Sequence, residues 1–369
     1  MITHRDLTLG EPLEVKFANE EPVEFNSETL SIGNCRSLIR GFRMEISSGR
    51  AQGGVHRDSL ASASRFSFRE NPMPHRGSDV YRELLPDRLK NLWESVEKGL
   101  LSSEEFHECQ ELYTLEYRRE WQDALLLNGF SDFRTSILSE IAAYTGNPDL
   151  KEVEALCRQA LARVKREWHE KVASPDKESV ELFYNQSQAM LYELMWWHTL
   201  TEDLSPLAYV VALHFARLHG CGNYLDFGCG VGSGGLLFAK SGIKATLADI
   251  SSAALDFSSW RFSQRGLSAR HIDLKECALP ENSFDFITAM DVFEHLVQPE
   301  KTVHDLRKAL RPGGFLFGRF HAEADEDRPH HITLDFGPTL ATLTSLGFSR
   351  VWQDRWLWGH EVFRLDSVF

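Results

Sequence analysis

No stretch of the 369-residue sequence approaches the roughly 18 consecutive apolar residues that a membrane helix needs; the densest run, Tyr209 to Ala216, is about half that. The first ten residues carry His4, Arg5 and Asp6 with no apolar run behind them, so no secretory signal is expected. The six cysteines (Cys35, Cys109, Cys157, Cys221, Cys229 and Cys277) contain no C-x-x-C pair and no zinc-ligand spacing. A reducing cytoplasm is the expected compartment, with each thiol a small buried hydrophobe. Basic residues are also short: 40 Lys and Arg against 54 Asp and Glu leave a net charge of -14. The whole molecule therefore repels a phosphate backbone or an anionic membrane, and a small-molecule partner is expected rather than a polynucleotide. No signal of oligomeric state is present.

What remains is the composition of a folded protein, 42% hydrophobic and 25% charged. The length suits about two domains plus an extension. Residues 1–78 are expected to form that extension, partly disordered, with a marginal strand or two at Leu13 to Phe17 and Val23 to Phe25. Its charge reverses partway: Met1 to Leu30 holds seven acids and two bases, Ser31 to Ser78 three acids and eight bases.

From 79 to 204 the punctuation is helical, which predicts an all-α domain. Pro86 to Gly99 reads as one helix. Ser102 with Glu105 forms a capping box for a second, which runs to Gly129 and buries Phe106, Cys109, Tyr113, Tyr117, Trp121 and Ala124 on one stripe. Ser131 opens a third, ending near Gly146. Asn147-Pro148, Ser174-Pro175 and Ser205-Pro206 each read as a cap followed by a first-turn proline.

From 205 to 369 short apolar runs alternate with helical stretches, which predicts a parallel sheet with helices on both faces. The first strand ends Leu225-Asp226-Phe227 and runs into Gly228-Cys229-Gly230-Val231-Gly232, where glycines let a ligand approach the backbone and a helix start offers free amides. A dinucleotide loop of the G-x-G-x-x-G kind wants glycine where Ser233 stands. Asp226 would also oppose a pyrophosphate, so a nicotinamide oxidoreductase is disfavoured. Asp249 closes the second strand 21 residues beyond Gly228, placed for the two hydroxyls of a ribose.

This ordered set resembles the class I S-adenosylmethionine-dependent methyltransferases over about Ser205 to Phe369. The resemblance implies a Rossmann-like seven-stranded sheet of order 3-2-1-4-5-7-6, its final hairpin supplied by Val351 to Trp358 and His360 to Leu365. It further implies a cofactor site of Asp226, Phe227, Gly228, Cys229, Gly230, Gly232, Asp249, Ile250, Asp273, Leu274 and Asp291. Asp226 and the loop would hold the methionine part, Asp249 the ribose, and Asp273 the adenine side.

Asp291, Glu294 and His295 follow the fourth strand, and His330 and His331 follow the fifth. This pattern resembles ubiquinone-pathway O-methyltransferases and small-RNA 2'-O-methyltransferases, in which an acid-x-x-Glu-His set and a later His bind a divalent cation. The first acid there is commonly Glu; here it is Asp291, one methylene shorter. Three readings stand: a cation held by Asp291, Glu294, His295 and His331; metal-free base catalysis by His295, assisted by Asp291 and His331; or a crevice wall inherited with the fold. The acceptor pocket is expected from Tyr184, Tyr192, Trp196, Trp197, His198 and the acidic loop Glu323 to Asp327, although core packing explains that aromatic stripe as well. The expected activity is methyl transfer from S-adenosylmethionine to an oxygen or nitrogen of a small molecule. The alternative is a non-catalytic S-adenosylmethionine-binding protein whose helices recruit a partner.

Overall fold

In the computed structural model the described residues are the strands β1 (Leu13–Val15) and β2 (Val23–Phe25) and residues 94–367, apart from 97, 103–104, 107–108, 111–113, 323 and 355–356. Residues from Glu116 onward belong to one compact unit, and those up to Leu115, except 77–84, to another. In the latter, β1 and β2 pair antiparallel, with Glu14 opposite Glu24. The capping box is present: Glu105 N–H donates to Ser102 Oγ at 3.1 Å, and Ser102 N–H to Glu105 Oε2 at 2.9 Å. The expected disorder of the extension and the start of a helix at Pro86 lie outside the described residues.

The larger unit begins with six helices: α1 (Leu115–Leu125), α2 (Phe133–Thr145), α3 (Leu150–Arg158), α4 (Ala160–Lys171), α5 (Lys177–Gln186) and α6 (Ala189–Trp197). Tyr117, Trp121 and Ala124 of the expected stripe are buried on α1, which ends four residues before Gly129. The expected caps shift by one or two residues, each time onto an aspartate. Asp132 accepts from Thr135 N–H at 2.7 Å, Asp149 from Lys151 N–H at 2.9 Å, and Asp176 from Ser179 N–H at 2.9 Å. A carboxylate both accepts the orphan amide and answers the positive end of the helix dipole, so it displaces the neighbouring Ser or Asn, and Pro148 and Pro175 fall before the cap. Of these three prolines Pro206 alone lies in a first turn, that of the 3-10 segment Ser205–Leu207 leading into α7 (Ala208–Leu218).

After α7 come β3 (Asn223–Phe227), α8 (Ser233–Lys240), β4 (Lys244–Asp249), α9 (Ser252–Gln264), β5 (Arg270–Asp273), β6 (Phe284–Ala289), α10 (Pro299–Ala309), β7 (Leu310–Gly318), α11 (Gly337–Ser345), β8 (Phe348–Gln353) and β9 (Glu361–Leu365). They form a seven-stranded sheet of order β5-β4-β3-β6-β7-β9-β8. Counted within the sheet this is 3-2-1-4-5-7-6, the expected order. β3 to β7 are parallel, and β9 runs antiparallel to both β7 and β8. The final hairpin begins at Phe348, three residues ahead of the expected Val351.

β3, flanked by β4 and β6, is where strand order reverses, and such sheets open a crevice there beyond the carboxyl ends of their strands. The registers Phe227 opposite Ala248 and Asp249 opposite Asp273 bring the ends of β3, β4 and β5 level. Ala289 opposite Gly318 does the same for β6 and β7. Leu225, Ile287, Leu316 and Phe363 fill one face of the sheet. On the other, Tyr224 stacks on Phe238 with ring centroids 3.6 Å apart.

Candidate active site

The β3–α8 loop is held by its own backbone. Gly228 N–H donates to Ala248 O at 2.8 Å, Gly230 N–H to Asp249 Oδ2 at 2.8 Å, and Gly232 N–H to Cys229 O at 2.8 Å. Gly228 and Gly232 have φ of 68° and 76°, in the left-handed region that side chains avoid. A Cβ at Gly228 would lie 2.5 Å from Val292 Cγ2, and one at Gly232 2.1 Å from Ser258 Oγ. Both positions therefore require glycine twice over, by torsion and by space. Cys229 is buried, and burial pushes its thiol well above the ordinary range.

Asp249 closes β4 with both oxygens committed to amides, Oδ2 to Gly230 and Oδ1 to Ser251 at 2.8 Å. Burial raises its pKa against those bonds. Asp273, at the end of β5, accepts from Ser252 Oγ at 2.6 Å and pairs with Lys275 Nζ at 2.9 Å; these partners outweigh burial and hold it below the usual carboxylate range. The same ammonium bonds the carbonyl of Ile250, and Leu274 N–H donates to Asp249 O at 2.9 Å. The chain thus brings Gly228–Gly232, Asp249, Ile250, Asp273 and Leu274 to one rim. Lys275, which sequence reasoning missed, sits among them.

Asp226 stands apart. It is 0% exposed and points beneath the loop, accepting from Tyr209 Oη at 3.2 Å, Thr288 Oγ1 at 3.1 Å and Gly235 N–H at 2.9 Å. Its carboxylate has no face open to a ligand, so it ties α7, β6 and α8 together and shapes the loop from below. Ser233, the residue that breaks the dinucleotide pattern, has a second structural use. Its hydroxyl accepts from Arg261 Nη1 at 2.8 Å and lies 2.9 Å from His198 Nδ1. Arg261 in turn donates to Val231 O at 2.8 Å and pairs with Glu140 of α2, Nε to Oε1 at 3.2 Å, both side chains fully enclosed. Burial and Arg261 push His198 down to about 3, so it is a neutral support for the loop rather than an acceptor-pocket wall. Trp196 is likewise structural, since its Nε1 donates to Glu202 and the guanidinium groups of Arg134 and Arg158 each lie 5.0 Å from its ring.

Across the crevice, beyond β6 and β7, charge replaces backbone. Asp291 has φ 49°, and Phe293–His295 form a 3-10 turn. Arg319, one residue past β7, reaches both acids: its Nη2 donates to Glu294 Oε1 at 2.9 Å, and its Nε makes an ion pair with Asp291 Oδ1 at 2.9 Å without hydrogen-bond alignment. Burial pushes Asp291 up to about 6 against the pull of Arg319; Glu294, more deeply buried, is held below the carboxylate range by Arg319 and His295. His295 Nδ1 lies 3.0 Å from His330 O. A carbonyl can only accept, so Nδ1 carries the proton and Nε2 is left as the basic nitrogen. Burial lowers the pKa of His295 and drives His331 down to about 3 and His330 to about 2, so all three imidazoles are neutral at pH 7. The Tyr184 ring meets that of His295 edge-on at 6.0 Å, while its buried hydroxyl has no hydrogen-bond partner.

Residues 225–316 match the family described as "Methyltransferase domain". The C-terminal region is a class I S-adenosylmethionine-dependent methyltransferase domain. A ubiquinone biosynthesis O-methyltransferase of Azoarcus sp. (strain BH72) is 32% identical over 133 residues, covering 33% of this chain and 55% of that protein. The corresponding protein of Aromatoleum aromaticum (strain DSM 19018 / LMG 30748 / EbN1) is 31% identical over 130 residues, with the same coverage of 33% and 55%. The chain spans about half the length of these curated relatives. Among solved structures, Haemonchus contortus phosphoethanolamine N-methyltransferase 2 in complex with S-adenosyl-L-methionine is 19% identical with a TM-score of 0.38, covering 46% of this chain and 44% of that one.

The cation set expected in this methyltransferase domain does not assemble. Among the described residues, the His, Cys, Asp and Glu ligand atoms that gather within 4.8 Å of one another belong to His295, His330 and His331, and neither acid joins them. Asp291 and Glu294 already face a guanidinium. The rings of His295 and His330 lie nearly parallel, 12° apart with centroids 5.1 Å from each other. His330 and Arg319 were not anticipated as site residues; the paired histidines were a visible signal for the first, and nothing local marked the second.

Proposed function

We propose that this chain transfers a methyl group from S-adenosylmethionine to an oxygen of a small-molecule acceptor. The observation that carries the reading is the loop-to-acid contact, Gly230 N–H on Asp249 Oδ2 at 2.8 Å, within a sheet of methyltransferase order. It leaves a glycine-lined cradle beside an acid at the end of the next strand. In this reading Phe227 to Gly232 face the methionine part, Asp249 and Ile250 the ribose, and Asp273 and Leu274 the adenine, while Asp226 acts from beneath. The sulfonium is already activated, so the protein supplies position and a deprotonated acceptor. His295 Nε2 takes the acceptor proton, with His331 beside it at a ring separation of 4.9 Å.

Of the 79–204 segment, the helices from α4 onward cover the acceptor side of the 205–369 domain. Val297 and Ile332 of the crevice pack against the cluster of Val164, Trp168, Val180 and Phe183, and Asn185 Oδ1 accepts from Ser252 N–H at 3.1 Å. The curated relatives, named for O-methyl transfer in ubiquinone biosynthesis, support an oxygen acceptor of small size. Burial pushes the Cys157 and Cys221 thiols up to about 12, which suits a reducing cytoplasm. Among the described residues no helix is long and apolar enough to cross a membrane.

Calorimetry with S-adenosylmethionine, its demethylated product and NAD should show binding of the first two alone. A radiolabelled methyl donor with cell extract should then label a small-molecule fraction. Binding of NAD alone overturns the assignment; donor binding with no label from any fraction moves it to the non-catalytic alternative.

A further inference from the structure

We infer that Arg319 stands where a divalent cation would sit between Asp291 and Glu294, so that the crevice carries its own counter-ion and conceals a latent metal site. The sheet register sets this up. Gly318 closes β7 opposite Ala289 at the end of β6, so the residues just beyond, Arg319 on one strand and Asp291 on the other, emerge side by side. The guanidinium then spans both acids at 2.9 Å each, Nε to Asp291 Oδ1 and Nη2 to Glu294 Oε1. Glu294 is 1% exposed and Arg319 17%.

Without a cation the enclosed Glu294 and the 17% exposed Asp291 would carry a double negative charge in a poorly solvated site, which is strongly destabilising. A planar guanidinium answers it with one directed donor, to Glu294, and with its charge beside Asp291, and holds the turn at Phe293–His295 in place. The acids are thereby withdrawn from metal chemistry. Asp291 Oδ1 and Glu294 Oε2 nevertheless lack a hydrogen bond although buried, as does His330 Nδ1 alongside. Two carboxylates that share one cation are an oxygen donor pair of the kind Mn2+ takes once the guanidinium is gone. This balance of charge belongs to the folded crevice and does not depend on methyl transfer.

The test is Mn2+ binding to the full chain, stripped with a chelator and followed by electron paramagnetic resonance and calorimetry. Wild type should take up no Mn2+ at the crevice. Arg319→Ala should bind it at least about tenfold more tightly than wild type, and the gain should vanish in Arg319→Ala/Asp291→Asn and in Arg319→Ala/Glu294→Gln. Arg319→Lys, which keeps a cation, should stay blind to Mn2+. If Arg319→Ala does not fold by circular dichroism, Arg319→Met keeps the apolar stem and carries the same expectation. Wild-type Mn2+ binding that Glu294→Gln abolishes overturns the inference, as does a folded Arg319→Ala or Arg319→Met that gains none. S-adenosylmethionine calorimetry on wild type runs alongside: its failure sinks the methyl-transfer reading and leaves the Mn2+ result standing.

Discussion

Around Gly228–Gly232 the crevice is lined by backbone, fixed by left-handed glycines and by amides bonded to Ala248 and Asp249. Around Asp291–His295 it is lined by buried charge, one guanidinium against two carboxylates with three neutral imidazoles beside them. The first kind of wall recognises a ligand by shape and by amides at fixed positions, and it tolerates almost no side chain. The second recognises by charge and protonation, and it can be retuned by one substitution. In the proposed reaction the first would be the donor wall, because the donor is constant, and the second the acceptor wall, because the acceptor differs between enzymes.

The comparison is broken most sharply at His295. As the group left with a basic Nε2, His295→Ala should lower turnover about 10²- to 10⁴-fold with donor affinity nearly unchanged, whereas His331→Ala should cost about tenfold or less. Because burial lowers its pKa, His295 is already neutral at pH 7, and the rate should fall only as pH drops below the ordinary imidazole value. Turnover in steady state and donor titration by calorimetry separate the two effects. Equal losses in both measurements would mean that His295 supports the fold rather than the proton transfer.

Next comes the pair that joins the helices to the donor wall. Arg261→Ala leaves Glu140 enclosed with Arg265 alone, Nη1 to Oε1 at 2.5 Å, and should lower stability by about 3–5 kcal/mol. Arg261→Met with Glu140→Leu should recover part of that loss, since Arg261 and Glu140 leave together and Arg265, which keeps its bond to Leu125 O, is the one charge that loses a partner. Urea unfolding of wild type and the two variants reads this directly; a double variant no better than the single one would show that packing rather than charge dominates. Smaller still is Gly232→Ala, in which a left-handed φ of 76° and a Cβ 2.1 Å from Ser258 Oγ combine. A loss of about 2–4 kcal/mol is expected, together with weakened donor binding. His295→Ala should leave that binding intact, so the two variants sharpen the contrast between the walls.

The geometry of the proposed donor wall was largely legible in the sequence because it is local. Five residues of loop, an acid 21 positions on and a strand pattern encode it, and the register then brings Asp249 and Asp273 level without help from distant side chains. The acceptor wall was legible only in its residue types. Asp291, Glu294, His295 and His331 do meet in one crevice, but what each does is set by Arg319, which lies 25 residues beyond Glu294 and whose local sequence carries no signal. Ser233 shows the same limit from the other side. It read as a departure from a glycine pattern, and its partners Arg261, 28 residues on, and His198, 35 residues back, could only be found in the fold. The caps misread at Ser131, Asn147 and Ser174 failed for a smaller reason, the competition between adjacent acceptors, which the charged one wins.

His198 offers the finest test, because it sits under the donor wall yet belongs to the chemistry of charge. Burial and Arg261 depress its folded pKa from the ordinary imidazole range to about 3. A histidine kept neutral in the fold contributes its stability fully above its unfolded pKa, and that stability is lost as pH falls, because the unfolded chain takes up a proton that the folded one refuses. The window therefore runs from about 6.5 downward, at close to 1.4 kcal/mol per pH unit for one proton. Between pH 7.5 and pH 5 wild type should lose about 2 kcal/mol more than His198→Gln, which keeps a polar group beside Ser233 but cannot titrate. His330 and His331 titrate in the same direction but are common to both proteins, so they drop out of the difference. Urea midpoints at the two pH values decide it: parallel losses would mean that the Ser233 hydroxyl and its neighbours relax to accept a charged imidazole, and the donor wall would then be as adjustable as the acceptor wall.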